Sequence, residues 1–239
     1  MRKLVIIPTY NEITNISAMI DKVMSLAGEY DLLVIDDASP DGTAAEVKRR
    51  RAEFPQRLFI IERTGKLGLG TAYLAGFAWA LDHGYDLVYE MDCDFSHNPD
   101  DLERLTAAAA EGFDVVIGSR YVAGVNVVNW PMSRLLLSYF ASVYVRIVTR
   151  MPVRDATAGF VCYSRHALQT IDLDAVRMKG YGFQVEMKYT ARRLGLRMKE
   201  VSIIFTERRE GVSKMSGGIF GEAFFGTLML PLRRFSPRK

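Results

Sequence analysis

Across the first 120 residues, apolar runs of strand length alternate with stretches whose apolar residues recur at helical spacing. The runs are KLVIIPTY, YDLLVIDDAS, RLFIIER, DLVYEMDCD and FDVVIGSRY. Between them lie NISAMIDKVMSLA, DGTAAEVKRRRAEF, LGTAYLAGFAWALDHG and NPDDLERLTAAAAEG. This alternation leaves few folds open. A helix between consecutive strands lets them pair in parallel and covers both faces of the sheet. The runs are nearly continuous Val, Ile and Leu, as strands buried on both faces are. Gly84 ends the third helical stretch as a C-terminal cap residue. No internal repeat or low-complexity linker divides the chain. The expected fold is α/β, with a single mostly parallel sheet flanked by helices.

Composition narrows the function class. A chain of 239 residues, 49% of them hydrophobic, buries a substantial core without disulfides or structural metal. The net charge of +3 is too small to argue for a nucleic-acid partner. KRRR at 48–51 reads as a solvated helix face. Cys93 and Cys162 belong to no CxxC or Cys/His pattern, which suits a reducing, cytoplasmic compartment. The opening MRKLVIIPTYNE is not a signal peptide, because Pro8, Asn11 and Glu12 follow its short apolar run at once. LLLSYFASVYV (135–145) and AFFGTLMLPL (223–232) hold eleven and ten uncharged residues. A membrane span needs about twenty.

Ligands of open α/β sheets bind beyond the carboxyl ends of the strands. Polar residues gather at those ends: PTYNE after the first strand, Asp36 and Asp37 after the second, Asp92 and Asp94 after the fourth, GSRY after the fifth. Turn and cap preferences explain each group alone, but a shared site explains the set better. Familiar nucleotide signatures are missing. GLGTAY has Gly68 and Gly70 but Tyr73 where a dinucleotide fingerprint needs its third glycine. There is no P-loop and no GxSxG elbow, and His83, His97 and His166 lack metal-ligand spacing. The Asp-x-Asp of MDCDFSHNP remains. Two adjacent carboxylates repel unless a cation lies beside them. Hard oxygen ligands suit Mg²⁺ or Mn²⁺, which are commonly held by one or two carboxylates plus substrate phosphates.

VIIPTYNE, VIDDASPDGT, MDCDFSHNP, IGSRY, NWPMSR, DATAGF, GYGFQVEM and FTERREGVSKMSG, taken in order over roughly 4 to 220, resemble the dolichyl-phosphate (polyprenyl-phosphate) mannose synthases. These are family 2 inverting glycosyltransferases with the GT-A fold. The resemblance implies transfer of a sugar, usually mannose from GDP-mannose, to a polyprenyl monophosphate at a membrane surface. It implies that Pro8, Tyr10, Glu12 and Asp37 hold the nucleoside, and that Asp92 and Asp94 bind metal and diphosphate. Ser96 stands where relatives carry Gln or Ser, and its hydroxyl is a further candidate ligand. Arg120, Arg134 and Ser138 are expected at the acceptor phosphate. Arg208 and Lys214 are expected to close over the diphosphate. Relatives often read GESK where this chain has GVSK, with Val212, but both basic residues are kept.

The resemblance and the apolar segments together give a catalytic domain over 1–218 and a membrane-proximal amphipathic, basic tail over 219–239. SRLLLSYFASVYVRIVTR (133–150) and IFGEAFFGTLMLPLRRF (219–235) read as interfacial segments, apolar on one side with Arg near the headgroups. Peripheral attachment on the cytosolic face of a membrane is the expectation. Some short relatives use small membrane-anchoring subunits. A UDP-sugar hexosyltransferase acting on the same acceptor class, and a sugar-nucleotide-binding scaffold without catalysis, are the alternatives.

Overall fold

A computed structural model describes residues 1–207 and 217–238, without the side chains of 217–220. All five expected strands form: β1 (Lys3–Thr9), β2 (Tyr30–Asp36), β3 (Leu58–Glu62), β4 (Leu87–Glu90) and β5 (Val115–Ser119). So do the helices between them: α1 (Ile13–Met24), α2 (Thr43–Arg51), α3 (Leu69–Asp82) and α4 (Asp101–Ala110). A sixth strand, β6 (Val127–Val128), and the helix α5 (Met132–Thr149) follow. Then come β7 (Val161–Ser164), α6 (Arg165–Thr170), α7 (Gly182–Arg193), β8 (Met198–Ser202), β9 (Phe205–Thr206) and α8 (Gly217–Met229).

The main sheet has the order β3-β2-β1-β4-β7-β5-β8, and only β7 runs antiparallel to its neighbours. The chain builds outward from β1 to β3 and then returns past β1 to β4. The crevice between β1 and β4 is therefore the topological switch point, where open α/β sheets bind ligands. Because β7 runs the other way, the segment entering it arrives at the same rim that β1, β2, β4 and β5 leave.

Alternation along the strands divides the core in two. Leu4, Ile6, Leu33 and Ile35 face one layer with Tyr73, Phe77 and Phe183. Val5, Ile7, Leu32 and Val34 face the other, with Ile16, Ile20, Leu102 and Leu105. Gly84 turns the chain after α3 with φ +78, a backbone that L side chains rarely adopt. Gly70, considered above as a nucleotide fingerprint residue, has a packing role instead. A Cβ there would sit 2.8 Å from the Phe183 ring, so the start of α3 can lie directly on α7.

The basic run on α2 is mostly solvated, but Arg50 is buried and pairs with Asp21 and Glu53. The two long apolar segments behave differently from core helices. Among α5 side chains only Ser142, Val145 and Thr149 are buried. By contrast, every residue of α7 from Gly182 to Ala191 is buried. α8 lies beside α5, where the Tyr144 and Phe224 rings stack at 4.7 Å and the Tyr144 hydroxyl donates to the Phe224 carbonyl at 2.9 Å. The end of the chain returns to the domain: Phe235 meets Tyr189 edge-on, Pro237 bridges Ile171, and Arg233 pairs with Glu186. No described helix is long and apolar enough to cross a membrane.

Candidate active site

β4 ends at Glu90, and the chain then crosses the rim through Asp92 and Asp94. Phe95 sits at φ +58, a left-handed turn that reverses the chain immediately after Asp94. Ser96 closes the turn. Its backbone N–H and hydroxyl donate to Asp94 Oδ1 at 3.1 and 2.6 Å, which fixes the carboxylate's direction. His97 supports the other carboxylate's backbone by accepting the Asp92 N–H on Nδ1 at 3.3 Å. Its ring lies on Phe160, with centroids 5.0 Å apart. Burial lowers the His97 pKa to about 4, so the imidazole is neutral at neutral pH and Nδ1 is free to accept. Asp92 is half-buried and Asp94 buried.

At the β1 and β2 ends, the two consecutive aspartates separate in role. Asp36 is internal: it accepts from Thr9 Oγ1 at 2.9 Å, and from the Ser39 N–H and hydroxyl at 2.8 and 2.6 Å. Asp37 lines the cavity and is held by Arg63 Nε at 2.5 Å. The same guanidinium donates to Thr71 Oγ1 at 2.7 Å, tying the β2 end to the start of α3. The Lys66 ammonium lies 4.3 Å from the Tyr10 ring centroid. Glu12 accepts from Asn15 Nδ2 at 3.0 Å, and its N–H donates to Thr43 Oγ1 at 3.0 Å. Sequence reasoning passed over Arg63 and Lys66. The signal was present: ERTGK follows β3 directly, at the one early strand end left out of the rim.

Opposite these groups, β5 delivers Arg120. It is buried and locked to Asp155, with Nε to Oδ2 at 2.7 Å and Nη2 to Oδ1 at 2.6 Å. The Arg120 N–H adds a bond to Oδ2 at 2.9 Å, and Nη2 also reaches Thr157 Oγ1 at 2.9 Å. Burial alone raises the Asp155 carboxyl pKa, but the Arg120 charge and hydrogen bonds outweigh it and hold it below the usual range. Arg134, from the first turn of α5, lies 4.4 Å from the Trp130 ring centroid and pairs with Glu207. Ser138, one turn on, accepts the Tyr121 hydroxyl at 2.8 Å. Asp155 and Thr157 lie in the quoted DATAGF, but their partnership with Arg120 needed the fold.

One cavity of about 1280 Å³ joins all of this. Every expected site residue among those described lines it: Pro8, Tyr10, Glu12, Asp37, Asp92, Asp94, Ser96, Arg120, Arg134 and Ser138. Arg208 and Lys214 lie outside the described residues. α5 and α8 also line the cavity, through apolar side chains that are exposed. Phe140 is 60% and Phe225 67% exposed, with Leu136, Leu137, Phe224 and Leu228 beside them.

A switch-point rim with paired carboxylates, sharing one cavity with the buried Arg120 and the half-buried Arg134, suits a phosphorylated ligand, and the fold is that of the GT-A glycosyltransferases. The pattern of glycosyl transferase family 2 matches residues 4–172, and the chain belongs to this family. It is 51% identical to the undecaprenyl-phosphate mannosyltransferase of Micrococcus luteus, covering 93% of this chain and 91% of that one. It is 48% identical to the polyprenol monophosphomannose synthase of Mycolicibacterium smegmatis, covering 94% and 84%. The dolichol-phosphate mannosyltransferase of Pyrococcus furiosus is 33% identical over 91% of this chain, which spans 60% of that longer protein. Among solved structures, glucosyl-3-phosphoglycerate synthase from Mycobacterium tuberculosis with phosphoglyceric acid matches with TM-score 0.70 and 21% identity, over 95% of this chain and 79% of that one. The same enzyme has been crystallised with Mn²⁺, UDP and glucosyl-3-phosphoglycerate, and that complex matches with TM-score 0.67 and 20% identity, again over 95% and 79%. At this identity the likeness shows the fold.

Proposed function

We propose that the protein transfers mannose from GDP-mannose to a polyprenyl monophosphate, inverting the donor linkage to give polyprenyl β-mannosyl phosphate at the cytosolic face of a membrane. One observation carries the reading: a single cavity is lined by carboxylates (Asp37, Asp92 and Asp94), by arginines (Arg120 and Arg134) and by apolar residues of α5 and α8 that are exposed. A metal-bound nucleotide sugar, an acceptor phosphate and a prenyl chain each find one of these three environments.

Pro8, Tyr10, Glu12 and Asp37 bind the nucleoside, with Arg63 holding Asp37 in place. Asp92 and Asp94, with Ser96 in support, offer only hard oxygen donors, which fit Mg²⁺ or Mn²⁺. No group of three or more His, Cys, Asp or Glu that could hold a metal exists among the described residues. A two-carboxylate set completed by diphosphate oxygens is consistent with that. When bound, the ion offsets charge on the departing diphosphate. Arg208 and Lys214 are assigned the same task.

Arg120, Arg134 and Ser138 orient the acceptor phosphate. A phosphate monoester has a second pKa near ~6, so the acceptor is largely a dianion at neutral pH and needs no general base. One of its oxygens attacks the anomeric carbon as the bond to the diphosphate breaks, and GDP leaves with the electron pair. The protein's contribution is to align two anions and offset their repulsion. The exposed faces of α5 and α8 sit in the lipid interface, with Arg146 and Arg150 near headgroups.

The test is a transfer assay with detergent-dispersed polyprenyl phosphate and labelled GDP-mannose or UDP-glucose in parallel. Label entering the lipid only from GDP-mannose, and lost with EDTA, is the expected outcome. Transfer from UDP-glucose alone would move the protein to a glucosyltransferase. No transfer from either donor, even after native membranes are added back, would overturn the reading.

A further inference from the structure

Lys188 is 0% exposed at the centre of α7 and does not line the cavity. A buried ammonium is costly unless every proton finds an acceptor. Here each does: Nζ donates to the Ala158 carbonyl at 2.6 Å, to the Gln184 carbonyl at 3.2 Å and to Gln184 Oε1 at 3.3 Å. Burial lowers its pKa to about 8, with Glu90 and Asp155 opposing and Arg120 and Glu200 also facing it.

The acceptors are informative. Ala158 belongs to the short segment 155–159 that enters β7 at the rim. Two other members of that segment, Asp155 and Thr157, hold the Arg120 guanidinium. The segment thus has two sides. Its side chains grip Arg120, and its backbone carbonyl is gripped from behind by Lys188. Ala158 and Gln184 both line the cavity, so the ammonium lies directly beneath the cavity wall. The shortest of its bonds spans 30 residues and joins α7 to the segment that presents Arg120.

We infer that Lys188 is a positioning residue for the acceptor phosphate, acting through the 155–159 segment to hold Arg120 in its binding orientation. The inference rests on the proposed function, because it takes Arg120 to be the acceptor ligand. It assigns Lys188 no contact with substrate.

Two ligands separate the possibilities: GDP with Mn²⁺ for the donor end, and farnesyl phosphate, a short soluble polyprenyl monophosphate, for the acceptor end. Both affinities are measured by calorimetry on the full chain, for wild type, Lys188→Met, Lys188→Gln, Arg120→Lys and the double variant K188M/R120K. The expected result for K188M is a loss of farnesyl phosphate affinity on the order of 10- to 10²-fold, with GDP affinity unchanged. The loss should be smaller in K188Q, which keeps a donor. It should largely disappear in the R120K background, since residues acting through one another are not additive. Unchanged farnesyl phosphate affinity in K188M would overturn the inference. So would an equal loss for GDP, an undiminished effect on top of R120K, or a failure of both Lys188 variants to fold. A wild type that binds GDP but no farnesyl phosphate would overturn the functional reading itself, and this inference with it.

Discussion

Asp36 and Asp94 find partners in Ser39 and Ser96, three and two residues away, whereas Arg120 reaches 35 residues to Asp155 and Arg134 reaches 73 to Glu207. The aspartates of the rim, Asp94 above all, are fixed largely by turns that close on themselves. The arginine sites are assembled from β5, α5, the segment before β7 and the residues after β9. A carboxylate pinned by its own turn points the right way once its strand ends. A buried guanidinium has no such local solution, because its charge needs an opposite charge brought from elsewhere in the chain. Exceptions among the acidic groups are Asp37, held by Arg63 from the end of the next strand, Asp36, which also accepts from Thr9, and Glu12, whose N–H donates to Thr43.

The contrast can be broken experimentally. Asp94→Ala should lower metal-dependent transfer by at least the order of 10²–10³-fold seen when a transition-state charge stabiliser is lost. Because its turn is local, the thermal midpoint should stay near wild type. A large fall in the midpoint would show that Asp94 also depends on distant contacts. Asp155→Ala should behave in the opposite way and destabilise the whole domain by about 3–5 kcal/mol in urea titration, because it strands a buried Arg120. An effect below about 1 kcal/mol would mean that Arg120 relaxes into solvent.

The same pair sets a pH dependence. The folded Asp155 carboxyl is held below its ordinary 3.8, first against burial and then by Arg120. Its stabilisation is therefore complete above pH 3.8 and is lost as pH falls through the lower folded value. Asp155→Asn should remove that acid limb from a stability–pH profile, and a profile that kept it would assign the limb to other carboxylates.

Surface changes should have more selective effects. Phe140→Ser with Phe225→Ser should reduce binding to anionic vesicles in co-sedimentation while leaving GDP affinity and the thermal midpoint unchanged, since both side chains are largely exposed. Equal sedimentation of this double variant and wild type would remove α5 and α8 as the docking face. The smallest effect is expected for Tyr121→Phe. It deletes one part-buried hydrogen bond to Ser138, for a change of about 0.5–1.5 kcal/mol in stability by thermal denaturation. A larger loss would indicate that Ser138 is held in place chiefly by that bond.

The sequence by itself determined the first five strands, the helices between them, the parallel pairing of most of the sheet and the gathering of acids at one rim. All of these follow from short-range signals: apolar runs, helical spacing and turn residues at strand ends. The antiparallel insertion of β7 did not show in the pattern, because a four-residue strand reads alike in either direction. KRRR likewise gave no hint that Arg50 alone turns inward, since a basic run looks the same whether or not Asp21 and Glu53 are near. Tertiary structure decided that Asp155 and Thr157 hold Arg120, and that a lysine in the middle of α7 supports them from behind. These outcomes depend on satisfying buried charges, and a buried charge takes whichever partner the fold brings within about 3 Å, however distant along the chain.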